Sequence, residues 1–295
     1  MNTEDSKASL LQLTFGAFII SFSPVFAKLS GSATTMSGFY RMFFGLVGLS
    51  LMFLLGKKIT KCTKEGVLMA ALSGVFFSLD IYFWHKSILY VGAGLSTLLA
   101  NFQVFFLAML DIFVFRQKVS KKLWAAILLA VTGLYLLVGT SWSDSDVVFR
   151  MGVLYGILTA MMYTGYIVTL RLTGAEKRIL DRRVSMVVVT FVACVLLGFV
   201  AVVTGESLAI PDVQTGVYLV SYGVLCQAAG WVIIATAIPK LKLTVSGLIL
   251  LLQPTLAYVW DVSFFGKHIT LVELCGALLA LTAIYLGNLR TVEKK

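Results

Sequence analysis

Apolar runs recur along the chain at about 9–28, 33–56, 66–86, 92–115, 122–140, 151–170, 184–204, 215–238, 243–265 and 271–289, separated by short breaks that carry charges, Gly, Ser, Pro or Asp. A membrane-spanning helix needs about 20 mainly apolar residues. Strands of a membrane barrel instead alternate over about 10 residues, and these runs do not alternate. The pattern predicts ten transmembrane helices.

A second pattern lies over the first. Ser96, Leu98, Gln103, Asp111, Phe115, Val119, Ser120, Tyr135 and Leu136 are answered 150 positions later by Ser246, Leu248, Gln253, Asp261, Phe265, Ile269, Thr270, Tyr285 and Leu286. The polar matches carry the weight, because Leu–Leu agreement is cheap in so apolar a chain. A weaker echo pairs Phe15-Gly16 with Tyr155-Gly156. The chain therefore reads as a duplication, with repeats at 1–145 and 146–295. Each repeat holds five helices, an odd number, so the second enters the membrane facing the other way. The expected fold is an all-α membrane protein of two inverted five-helix repeats, the organisation of many secondary transporters.

Charge then sets orientation. Lys57, Lys58, Lys61 and Lys64, then Arg116, Lys118, Lys121 and Lys122, then Arg171, Lys177, Arg178, Arg182 and Arg183, and finally Lys240 and Lys242, fall in alternate loops. The opposite loops carry Asp144, Asp146, Glu206 and Asp212. The positive-inside rule places both termini in the cytoplasm. A net charge of +10 is explained by those loops, so no nucleic-acid partner is expected. The composition, 59% hydrophobic and 13% charged, leaves no room for a separate water-soluble domain. Function must reside in the bundle.

Ionisable and amide groups inside the spans are the candidate site, since a charge there costs at least about 2.5–3.5 kcal/mol and survives facing a cavity or a partner. Arg41 could clamp a carboxylate or pair with Asp80. Asp80, Trp84, His85 and Lys86 end the third helix, but at about 100° per residue they cannot all share one cavity. Asp80 and His85 are the proton-coupling candidates; Lys86 and His85 fit equally well at the headgroup boundary. Gln103 and Gln253, a symmetric pair, offer donors and acceptors to a polar solute, with Asn101 and Gln227 as further amides. Asp111 and Asp261 lie near span ends and suit pairing with a nearby base. Pro254 frees a mid-helix carbonyl and suits a hinge. The expected substrate-binding set is Arg41, Asp80, Trp84, Lys86, Gln103 and Gln253. No Walker loop, HExxH, GxSxG or metal-ligand spacing occurs, so neither an enzyme, a cofactor nor a metal site is expected.

Several segments resemble the drug/metabolite transporter superfamily in its ten-helix EamA-type branch. They are TAIPKLKL, LILLLQPTLAYVWDVSFFGKHIT with Pro254, GALLALTAIYLG, Arg41 in FYRMFFG, and YFWHKSILYVGAGLSTLLANFQVFF. The resemblance spans nearly the whole chain. Val104 stands where that branch has a proline, Gln117 and Lys267 where it commonly has glutamate, and Ser87 where it has alanine. It implies an inner-membrane, multi-pass exporter of amino acids or related metabolites, with a cavity lined by helices one to four and six to nine. The leading expectation is thus a secondary transporter, an exporter that moves a small polar metabolite by alternating access. Alternatives are efflux of drugs and lipophilic cations, and a non-transporting scaffold or sensor. The expected partners are a small-molecule solute and the bilayer, with a homodimer left open.

Overall fold

The computed structural model describes residues 3–54, 62–113, 121–138, 146–173, 180–237 and 249–289. Span one comprises Thr3–Ser21 and Ser23–Leu29, span two Thr34–Leu54, span three Lys64–Val91, and span four Ala93–Ala100 with Gln103–Phe113. Span five is Lys121–Val138, span six Val147–Leu172 and span seven Arg182–Val203. Span eight runs from Val213 to Ala237, span nine is Leu252–Phe265 and span ten Leu271–Leu289. The only β pairing among the described residues is one isolated bridge, Cys62 with Leu180. Most basic loop residues, the junction at 139–145 and the side chain of Asp111 lie outside the described residues.

Polar side chains start the helices where apolar runs begin. Thr63, Asp146, Asp181 and Asp212 accept from the amides of Gly66, Phe149, Arg183 and Thr215 at 3.1, 2.8, 2.9 and 2.8 Å. Each satisfies one of the amides that a helix start leaves unpaired. Among the described residues six helices are long and apolar enough to cross a membrane. Large apolar side chains such as Leu11, Leu68, Leu128 and Phe199 stand more than 60% exposed, an apolar surface that suits lipid and not water. The chain is a multi-pass membrane protein.

Packing follows the duplication. Span two lies against span seven, span four against nine, and span five against ten. Span three packs on six and on seven, and its counterpart, span eight, packs on one and on two. Exchanging each span with the one five places along therefore reproduces the arrangement, and paired spans run in opposite directions. These are two inverted five-helix repeats.

Where the helices break matters for the site. Span four, expected to be continuous, is interrupted at Asn101-Phe102. Asn101 Nδ2 donates to Thr97 O at 2.8 Å, and the backbone tightens, with Asn101 N to Leu98 O at 3.1 Å and Phe102 N to Leu99 O at 3.0 Å. That is 3₁₀ winding of the kind found at helix joints. Span nine has its turn at Leu251, 150 positions later. The first break immediately precedes Gln103, and the second lies two positions before Gln253. Pro254, expected in mid-helix, sits instead in the first turn after the break, where a missing amide costs little.

Candidate functional site

A cavity of about 350 Å³ lies between the repeats. Its wall takes Ser21 and Ser23 from span one, Arg41 from span two, and Asp80 and Trp84 from span three. Span four adds Asn101 and Gln103, span six Thr159 and Tyr163, span eight Trp231, and span nine Gln253. The i, i+4 spacing puts Asp80 with Trp84, and Thr159 with Tyr163 and Ile167, on single helix faces. Thr97 Oγ1, Gln103 Oε1 and Trp231 Nε1, all on wall residues, are buried and make no hydrogen bond among the described residues. Such unmet capacity costs about 1–3 kcal/mol each and suits a polar solute.

Arg41 is 5% exposed and held from the opposite repeat. Its Nε donates to Gln227 Oε1 at 3.1 Å and its Nη1 to the Tyr222 hydroxyl at 3.1 Å. The guanidinium carbon lies 5.0 Å from the Tyr222 ring centre and 5.6 Å from that of Trp84. Behind Tyr222, His85 Nε2 is 3.2 Å from the hydroxyl and Nδ1 is 2.7 Å from Ile81 O. A carbonyl only accepts, so Nδ1 carries a proton; with Tyr222 donating to Nε2, both ring nitrogens and the Tyr222 hydroxyl are satisfied by a neutral ring.

A second polar cluster lies outside the cavity wall, near the ends of spans one and nine and the start of span four. Asp261, fully buried, accepts from Gly94 N at 2.7 Å and meets Lys28 Nζ at 3.1 Å. Lys28 Nζ also stands 3.8 Å above the Phe265 ring centre. Spans one, four and nine are thereby tied together. The pairing of Asp261 with a nearby base follows the sequence expectation.

The sequence matches the EamA-like transporter family twice, over residues 7–139 and 150–289. The chain belongs to the EamA-like transporter family. A solved structure described as "Crystal structure of protein" superposes with a TM-score of 0.64, at 13% identity, over 96% of this chain and 99% of that one. At that identity the likeness speaks for the fold alone. Among curated proteins none matches the sequence.

In this EamA-like transporter the structure brings together five of the six residues expected to bind substrate: Arg41, Asp80, Trp84, Gln103 and Gln253. It does not bring Lys86, which is half-buried outside the wall with Nζ 5.6 Å from the ring of Tyr82 one turn back. The reason is helical rotation: with Asp80 and Trp84 inward, residues 85 and 86 turn progressively away. His85 likewise stands behind Tyr222, not in the wall. Arg41 and Asp80 make no ion pair within 4.0 Å, so the direct pairing offered as one of the two roles of Arg41 is not made. Span seven supplies no described wall residue, against the implied lining. It packs behind spans two and three, where a Cβ on Gly74 would come within 2.7 Å of Val192. Sequence reasoning missed Tyr222, Tyr163 and Trp231. The four-residue spacing of Thr159 and Tyr163 was a usable signal; nothing in the sequence marked Tyr222.

Proposed function

We propose that this membrane transporter is a secondary exporter of small polar metabolites, amino acids or related zwitterions, working by alternating access between its two repeats. One observation supports it above the others: Asp80 and Arg41, of opposite charge, stand in one cavity wall without pairing with each other. A zwitterion carries the complement of both, an ammonium for the carboxylate and a carboxylate for the guanidinium. Gln103 and Gln253 would meet its polar atoms, and Trp84 its apolar part. Asp80 is the sole acidic residue among the described wall residues, which makes it the candidate for proton coupling. The basic end of the bundle would face the cytoplasm of a cell whose inner membrane holds the protein.

The test is reconstitution in liposomes with a panel of radiolabelled amino acids. Wild-type protein should exchange at least one, and a proton gradient should drive it uphill. Asp80→Asn should abolish the uphill flux and spare exchange. Uphill flux unchanged by that substitution removes Asp80 from coupling.

A second reading, efflux of lipophilic cations, draws on the unpaired Asp80 beside Phe77, Trp84 and Trp231. The two separate on Arg41→Ala, which should weaken transport of a zwitterion and leave that of a lipophilic cation intact or improved.

A further inference from the structure

Span eight leaves α-helical geometry over Tyr222–Gly230, where the backbone winds as a π-helix. Residues five apart on an α-helix are rotated by about 140° around the axis. The i→i+5 turn of a π-helix stacks them instead. Tyr222 and Gln227 are five apart, and both reach Arg41, at 3.1 Å each. The wide turn occurs where spans two and eight touch backbone to backbone. A Cβ on Gly45 would lie 2.5 Å from Gln227 Cγ, and one on Gly223 would lie 2.8 Å from Gly45 N. The register between the spans is therefore fixed at the level of Arg41.

We infer that this π-helical turn is the positioning element for Arg41: Gln227 and Tyr222 hold the guanidinium by Nε and Nη1, so that Nη2 is presented to the anionic end of the cargo. Nη2 makes no hydrogen bond among the described residues, and Arg41 lines the cavity. Neither Tyr222 nor Gln227 lines it, so both act through Arg41. The inference rests on the reading of Arg41 as the group that meets that anionic end. Holder and held belong to different repeats, which ties the pose of Arg41 to how the repeats are packed.

Counterflow in proteoliposomes, with radiolabelled L-amino acids as probes, tests it. Gln227→Leu and Tyr222→Phe should each raise KM about tenfold, the worth of a charge-assisted hydrogen bond, with Vmax little changed. Gln227→Glu, which keeps the acceptor, should restore KM. In an Arg41→Lys background neither substitution should raise KM further. A fall in Vmax at constant KM, or equal shifts in that background, would reduce the pair to helix packing and overturn the inference. Absence of amino-acid exchange by the wild type sinks the cargo reading, and the positioning claim is then decided by ¹⁵N NMR of labelled arginine in detergent. A slowly exchanging Arg41 Nε–H that is lost in Gln227→Leu supports it; a resonance indifferent to that substitution contradicts it.

Discussion

Asp261, in the second repeat, accepts a 2.7 Å hydrogen bond from the backbone amide of Gly94, in the first. With Lys28 on its other oxygen, it forms a latch across the repeat boundary. Removing one partner of a buried charge pair costs about 3–5 kcal/mol, and the 29% exposure of the Lys28 side chain puts this pair toward the lower end. Asp261→Ala should therefore lower Tm markedly in detergent and open this end of the bundle to thiol reagents. An unchanged Tm would show that the latch contributes nothing.

Gly92 begins span four at φ +86°, and a Cβ there would lie 2.8 Å from Asp261 Oδ2. Side chains avoid that backbone region at a cost of about 1–3 kcal/mol. Gly92→Ala should destabilise by about 2 kcal/mol and share its effect with Asp261→Ala, so the double variant should lose less than the sum. Full additivity in thermal unfolding would separate the two residues.

Gly133 in span five packs against span ten so closely that a Cβ would lie 2.7 Å from Ala280 N and 2.9 Å from Gly276 O. Neither span contributes a described wall residue. Gly133→Leu should lower Tm while leaving KM for transport unchanged. A raised KM would place these spans in the transport path.

Asp212 caps span eight at its exposed start. The Thr215 amide that donates to it holds its carboxyl below the ordinary value of 3.8. A depressed folded value means the cap stabilises fully above 3.8 and loses its contribution as pH falls through the lower folded value. The Tm advantage of wild type over Asp212→Ala should be constant near neutrality and close in strong acid. A gap that widens on acidification would reverse the sign.

The ten spans and the inverted duplication are legible in the sequence because both leave periodic marks: apolar runs of fixed length, and Gln103/Gln253 and Asp111/Asp261 at one offset. Helical rotation also foretold that Trp84, His85 and Lys86 would diverge. Hidden were the features set by backbone competition and by contact between spans. Where span four breaks, the Asn101 side chain shares the Thr97 carbonyl with its own backbone N–H, with no proline to signal the joint. The π-helical turn that holds Tyr222 and Gln227 lies where Gly45 and Gly223 meet, and no local pattern announces such a turn. The unpaired state of Asp80 depends on Arg41 being claimed by span eight, a relation 181 and 186 residues long in sequence.

Gln103 and Gln253 line one cavity, and the proposed alternating access requires that it open in turn to either end of the bundle. The decisive experiment replaces the four native cysteines, introduces Gln103→Cys or Gln253→Cys, and applies a membrane-impermeant maleimide from each side of sealed vesicles. Both positions should label from both sides, with Asp261→Ala shifting the balance toward its own end. Labelling only by a lipid-soluble maleimide, or from one side alone in every variant, would contradict it.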